Sequence, residues 1–340
     1  MTLLALDAGG TSTRAVALDP AGRVLGYGRG PAGNPTAAGI GPAADAIAGA
    51  AATALSAAGS AEVAVVAMAG EQSDAFRAAV TERLAAHGVE RVVLEHDLLA
   101  LFCSGTPAAD GYALIAGTGT VAARVVGGGL AAVVGGRGWL LGDAGSGFWI
   151  GRRVARAVVA ALDGQSGPTA LTPPVLAALG IDTRTTDPDD PAGRVAAIRQ
   201  VVSAVYARRP VALAELAPLA FSVPDDPVAR SIVVAASRAL ADLLDAVRVP
   251  ELDGPVVVGG SVVVHGILGA PEPLARDLVP PARGTPVVAV PDGLVGAAVL
   301  ALRHTGFAVD AALFERLRVA VLARTVPLGA ELSASTVIKP

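Results

Sequence analysis

The chain has 340 residues, 53% hydrophobic and 16% charged, with a net charge of −4. That length suggests about two domains at roughly 100–200 residues each, and the composition excludes a disordered chain. The negative balance leaves no basic field to hold nucleic acid.

A mean hydropathy of +0.58 invites a membrane reading, but a spanning helix needs roughly 20 apolar residues. The run Val125–Gly136 is bounded by Arg124 and Arg137, and Gly293–Leu302 runs into Arg303. The first residues carry no basic segment and reach Asp7 early, so no signal peptide is expected and the protein reads as cytoplasmic. The single cysteine, Cys103, excludes disulfide frameworks and cysteine-ligated metal clusters. Lys339 is the one lysine. A Walker-A loop needs a lysine ahead of a helix and a protein kinase needs one on a strand, so neither is present.

In chain order, Leu3–Leu6 reads as a buried strand that ends in the turn Asp7-Ala-Gly-Gly-Thr-Ser-Thr13. Arg14–Asp19 and Arg23–Gly28 follow as strands across the Asp19-Pro-Ala-Gly22 turn. Ala37–Ala58 reads as an Ala-rich helix, with Ile47, Ala51 and Leu55 at four-residue steps. Val63–Ala67 is a strand, Asp74–His87 a helix stopped by Gly88, and Arg91–Leu94 a strand delivering Glu95, His96 and Asp97. This alternation predicts an α/β domain with a largely parallel sheet.

The pattern then begins again. Tyr112–Ala116, a Gly117-Thr-Gly-Thr120 turn, Val121–Val126, a glycine turn and Leu130–Val134 follow the order of residues 3–28, with Thr118 in the place of Thr11. A single repeat at this spacing indicates two similar domains, since solenoid periods are about 20–50 residues. We expect one over 1–110 and a second over 111–303. The second carries a mostly helical insertion over about 150–250, with a polar, Pro-rich loop at Asp182–Pro191. Strand Pro255–Val258, a Gly259-Gly-Ser261 turn, strand Pro286–Val290 and helix Gly293–Arg303 complete it. The 304–340 extension is expected to be helical in part, with Phe314, Leu317 and Val321 at helical spacing.

Several of these turns suit chemistry. Gly10, Thr11, Ser12 and Thr13 at one strand end, and Gly117, Thr118 and Gly119 at the other, offer backbone amides and hydroxyls to an anion. Two such hairpins would clamp a phosphate chain from both sides, with Asp7 placed to hold a hydrated Mg²⁺. Asp97 is either a helix cap for Leu98–Phe102 or a general base, and His96 reads as structural. Gly136-Arg-Gly-Trp-Leu-Leu-Gly-Asp-Ala-Gly-Ser-Gly147 is dense in glycine, with Arg137 suited to an anionic or polar group and Asp143 to hydroxyls. Asn34 reads either as turn chemistry or as a ligand. The Gly259-Gly260-Ser261 turn would let a flat ligand lie against the backbone.

Taken in order, Asp7-x-Gly-Gly-Thr-Ser-Thr13, Gly33-Asn-Pro35, Asp97, Gly117-Thr-Gly-Thr120, Gly138-x-x-x-Gly-Asp-x-Gly-Ser146 and Gly259-Gly-Ser261 resemble the N-acetylglucosamine kinases. These form part of the BadF/BadG/BcrA/BcrD-type branch of the actin-like ATPase and sugar kinase superfamily. The resemblance, over about 3–300, implies two ribonuclease-H-like domains with ATP and an amino sugar in the cleft between them, and a homodimer. By the same resemblance Asp97 is the catalytic base, and Thr11 and Thr118 bind phosphate. Gly259, Gly260 and Ser261 bind adenosine. Asn34, Asp97, Thr120, Gly136, Arg137, Gly138 and Asp143 lie where the family holds sugar, and Asp7 positions Mg²⁺. The branch usually has Trp at position 137 and Glu at 144, where this chain has Arg and Ala. Glucosamine and N-acetylmuramic acid are therefore alternative acceptors to N-acetylglucosamine. Two rivals share the fold. A sugar-responsive repressor needs a DNA-binding segment ahead of the first strand. The activators of radical acyl-CoA dehydratases need cluster-binding cysteines, which Cys103 alone does not supply.

Overall fold

The structure is a computed structural model and describes residues 1–70, 72–181, 191–269, 287–325 and 337–338. Five strands form the first sheet: β1 (Leu3–Ala8), β2 (Thr13–Leu18), β3 (Val24–Gly30), β4 (Ala61–Met68) and β5 (Val89–His96), in the order β3-β2-β1-β4-β5. β1 pairs antiparallel with β2 and parallel with β4, β2 antiparallel with β3, and β4 parallel with β5. The sheet is thus mixed and not largely parallel: the short turns after β1 and β2 build an antiparallel meander, and only the helical crossovers give parallel neighbours.

The second sheet repeats this plan. β6 (Gly111–Ala116), β7 (Thr120–Val126), β8 (Gly129–Gly135), β9 (Val256–Gly259) and β10 (Val287–Ala289) take the places of β1 to β5. β6, β7 and β8 are antiparallel, and β6, β9 and β10 parallel. The two-residue β11 (Val337–Ile338) adds antiparallel to β10, a strand the residue pattern does not announce.

Helices α1 (Pro35–Ala38) and α2 (Ile40–Leu55) replace the single expected helix, divided at Gly39, whose φ is 89°. The alanines of α2 have a reason. Glycines stand at 26 and 28 on β3, where a Cβ would run into the carbonyls of Ala54 and Ala50. Small residues on both surfaces bring helix and sheet into close contact. α3 (Asp74–Ala85), capped by Ser73, joins α2 on the outer face of the first sheet, over a core that includes Leu4, Leu6, Ile47, Val66 and Phe76.

Two helices lie between the sheets. α4 (Asp97–Gly105) follows β5 in sequence, yet packs on β6 and β9 of the second sheet. α11 (Leu294–His304) follows β10, yet packs on β1 and β4 of the first. The two helices also pack on each other, where a Cβ at Gly296 would strike the Ala100 carbonyl and the Gly296 amide donates to Ser104 Oγ at 2.8 Å. One continuous core holds residues of both sheets around this pair.

Between β8 and β9 the chain is helical. It contains α5 (Gly138–Leu141), α6 (Gly147–Leu162), α7 (Thr172–Ala178), α8 (Pro191–Tyr206), a 3₁₀ segment (Pro210–Leu216), α9 (Ala217–Ser222) and α10 (Pro227–Asp245). The polar loop expected at Asp182–Pro191 lies, up to residue 190, outside the described residues. The expected helix in the extension is α12 (Ala311–Thr325), with Phe314, Leu317 and Val321 buried.

Candidate functional site

Strand register brings the candidate residues to one end of each sheet. Asp7 stands beside Ala67, and Met68 beside His96, so Asp7 and Asp97 emerge together at the carboxyl ends of β1 and β5. In the second sheet Ile115 stands beside Gly259, and Val258 beside Ala289. Gly117, Ser261 and Asp292 therefore follow at its carboxyl end, where ligands of α/β sheets bind.

These two ends meet. Arg14, on β2, lies 3.2 Å from Asp292 and 3.6 Å from Asp7. Gly293 lies against the Asp7 carboxylate, where a Cβ would come within 3.1 Å of Oδ1, so the turn before α11 reaches across to β1. Asp7 is only 15% exposed. Burial, then the charge of Asp292, push its pKa from 3.8 up to about 7, against the pull of Arg14 and of the Gly293 amide; Asp97 pushes the same way as Asp292. Asp292 is absent from the sequence expectations. The available signal was its Pro-Asp-Gly turn at a strand end, which reads equally as a helix start. Asp292 Oδ1 does accept the Leu294 amide at 3.0 Å.

Asp97 is not the helix cap: His96 occupies that position and Asp97 is the first residue of α4. Its Oδ1 accepts the Leu98 amide at 2.8 Å, and no other side chain bonds to it among the described residues. Burial raises its pKa, opposed by the Leu98 amide and His96. His96 itself is exposed.

The first bend is closed by the Gly9 amide on the Ser12 carbonyl at 3.0 Å, leaving Gly10 and Thr11 exposed and Ser12 half-buried. Thr13 differs from expectation. It is fully buried, and its hydroxyl donates to the Pro31 carbonyl at 2.8 Å, so that proton is committed to the fold. Asn34 accepts the Thr36 amide at 2.8 Å as the cap of α1, which is the turn role.

The second bend is held from behind. Thr118 is exposed, while the Gly117 carbonyl accepts the Gly147 amide at 2.7 Å. Asp143 Oδ1 accepts the Thr120 amide at 3.1 Å, and Thr120 donates its hydroxyl to the Ala144 carbonyl at 3.2 Å. Asp143 has a φ of +60°, the one non-glycine in that region among the described residues. Its carboxylate sits under Gly119, where a Cβ would lie 2.9 Å from Oδ2. Burial raises its pKa, against the Thr120 amide. Two expected sugar ligands, Thr120 and Asp143, are thus engaged in shaping the second bend. Gly136, Arg137 and Gly138 are exposed.

Beside this bend lies a cavity of about 470 Å³, walled by Gly117, Thr118 and Ser261 on one side and by the 3₁₀ segment and α9 on the other. Of the Gly259-Gly260-Ser261 turn, Ser261 lines it. Gly259 instead packs on Leu101, and Gly260 backs onto the Ala116–Gly117 peptide. Pro218, Phe221 and His265 complete the wall, and nothing in their spacing announced them. Among the described residues no group of three or more His, Cys, Asp or Glu is arranged to hold a metal, and no helix is long and apolar enough to cross a membrane.

The sequence pattern of the BadF/BadG/BcrA/BcrD ATPase family matches residues 4–301. The chain belongs to that family. Its fold is the two-sheet actin-like ATPase and kinase architecture. No curated protein matches this member of the BadF/BadG/BcrA/BcrD family, but solved structures do. A protein from Chromobacterium violaceum, provisionally assigned as an N-acetylglucosamine kinase, is 23% identical with a TM-score of 0.69, covering 88% of this chain and 98% of its own. One from Porphyromonas gingivalis with the same provisional assignment is 21% identical with a TM-score of 0.62, covering 89% and 99%. A ROK family glucokinase from Streptomyces griseus, in complex with glucose and AMPPNP, is 20% identical with a TM-score of 0.52, covering 89% and 100%.

Proposed function

We propose that this protein is an ATP-dependent amino-sugar kinase that transfers the γ-phosphoryl group of ATP to the 6-hydroxyl of N-acetylglucosamine. The observation that carries this reading is the meeting of two glycine-rich bends and the half-buried carboxylate of Asp97 at the joined carboxyl ends of two like sheets. Arg14, Asp292 and Gly293 bridge those ends. Family membership and the provisional assignment of the Chromobacterium and Porphyromonas structures support it.

In this reading residues 1–110 and 111–303 are the two lobes that close on substrate. The amides and hydroxyls of Gly10, Thr11 and Ser12 face those of Gly117, Thr118 and Gly119 across the triphosphate. The sequence has one lysine, Lys339, and in this reading the oriented dipoles of the two bends stabilise the charge on the transferring group. Asp97 accepts the proton of the 6-hydroxyl, and burial raises its proton affinity as a base requires. Ser261 and the cavity beside it take the adenosine. Lobe closure excludes water, the competing acceptor.

Asp7 suits a hydrated Mg²⁺. Mg²⁺ prefers oxygen ligands, keeps several waters, and uses one or two carboxylates with substrate phosphates instead of a full protein cage. Asp7 and Asp292 leave local negative charge that Arg14 alone does not balance. When bound, the ion would supply positive charge to the phosphate oxygens.

One observation favours a second acceptor. Arg137 is exposed on the sugar-side loop and forms no ion pair among the described residues. It suits an amino sugar bearing a carboxylate, such as N-acetylmuramic acid. A coupled ADP-release assay across glucose, glucosamine, N-acetylglucosamine, N-acetylmannosamine and N-acetylmuramic acid tests both acceptors, with NMR locating the phosphate. The expected result is sugar-dependent ADP release, highest kcat/KM for N-acetylglucosamine, and phosphate on O6. ADP release that no sugar accelerates overturns the kinase reading and leaves a sugar or nucleotide sensor on the same fold.

A further inference from the structure

The cavity beside the second bend has an uneven wall. Most of it comes from small residues, including Gly147, Ala214 and Ala217. Phe221, from α9, contributes the one phenyl ring among the described lining residues. Only 3% of the chain is aromatic, so a ring that packs on the edge of the core and also walls a cavity invites an account. Phe221 is half-buried. Its ring tip lies against Gly266, where a Cβ would lie 2.6 Å from Cζ and 2.9 Å from both Cε atoms. Gly266 sits in a turn of π-helix, Val262–Ile267, and such wide turns are common at functional sites.

We infer that Phe221 is the platform on which the nucleobase lies, and that Gly266 sets the width of that slot by giving the ring room to stand at its edge. A flat base gains most from a flat ring, and stacking tolerates any base that fits between the walls. Small residues on the facing wall leave that space open. His265 and Ser222 add polar groups to the lining. The inference rests on the nucleotide reading of this cavity given above and adds the residues that recognise the base.

The steric argument yields a sign. Gly266 has ordinary backbone geometry, as it is not among the glycines with positive φ. The three atoms nearest to an added methyl group all belong to the Phe221 ring, which moves more readily than backbone and has the cavity to move into. Gly266→Ala should fold, and it should narrow the slot by displacing the ring.

Isothermal titration calorimetry with ATP in the presence of Mg²⁺ tests this on the full chain. Inorganic tripolyphosphate serves as a probe of the phosphate bends alone, and circular dichroism checks that each variant folds. Phe221→Ala is expected to weaken ATP about tenfold, the loss of one stacking contact, and to leave tripolyphosphate unchanged. Gly266→Ala is expected to weaken ATP to a similar extent, but to add nothing in the Phe221→Ala background. Wild-type affinity for ATP in Phe221→Ala overturns the inference, as does an equal loss from Gly266→Ala in both backgrounds. Tripolyphosphate binding as tightly as ATP to the wild type overturns it alone, leaving the phosphate bends intact. Binding of neither by the wild type removes the nucleotide reading itself.

Discussion

A carboxylic acid that keeps its proton up to about pH 7 has been placed where its charged form is disfavoured. For Asp7 the pKa in the folded chain lies above the unfolded value of 3.8. Its contribution to stability is therefore complete below about pH 4 and is lost as the pH rises through about 7. Without a divalent cation, Asp7→Asn should melt at a higher temperature than wild type at pH 8. The difference should shrink toward pH 4 in thermal melts across that range, and the same variant should lose sugar phosphorylation. Asp97→Asn should retain sugar binding by calorimetry and lower kcat by about 10²–10⁴. Near-normal turnover would remove Asp97 from the mechanism. Which residues were legible follows from position. Asp7, Thr11, Asp97 and Thr118 could be placed because each lies at or just beyond the end of a strand that hydrophobicity defines. Thr13 and Thr120 could not, because each is the first residue of a strand, and whether its side chain faces in or out depends on pairing with a neighbour. Asp292 and Phe221 act through residues more than 200 positions away or across a cavity, and spacing carries no record of that.

Within the 136–147 segment, Asp143 shapes a neighbouring bend through the backbone. Asp143 sits in a strained conformation, and that strain is offset by the Thr120 amide it accepts and by Gly119 lying over it. Asp143→Ala leaves that amide without a partner and keeps a Cβ at positive φ. The expected cost is about 2 kcal/mol in urea unfolding, with a higher KM for ATP. Asp143→Asn, which keeps an acceptor oxygen and tolerates this conformation, should retain most of both. Hydrophobic periodicity was enough to find α2, α3 and α12. It gave no warning that α2 is divided at Gly39, where φ is positive. It could not show that α4 and α11 touch through Gly296, a contact that exists only because that residue lacks a side chain. Gly296→Val should cost about 1–3 kcal/mol or more through overpacking, read from the same unfolding curves.

At the scale of the whole molecule, the repeat visible between residues 3–28 and 112–134 extends to matching strand order in both sheets. A ligand gripped by both repeats binds the folded form alone. ATP with Mg²⁺ at a hundred times its dissociation constant should therefore stabilise the protein by about 2.7 kcal/mol. EDTA should remove much of the accompanying rise in melting temperature, and an equal rise with and without EDTA would argue against a role for the cation in binding. The exchange of α4 and α11 bears on more than catalysis. Each half of the polypeptide lends the other a helix that would otherwise have its apolar side in water. Cleaved at the short connector near residue 109, the protein would yield two pieces, neither able to complete its own interior. Co-expressed, the pieces carry complementary surfaces and would recombine, which makes that connector a natural point for a split reporter whose signal depends on the halves finding one another.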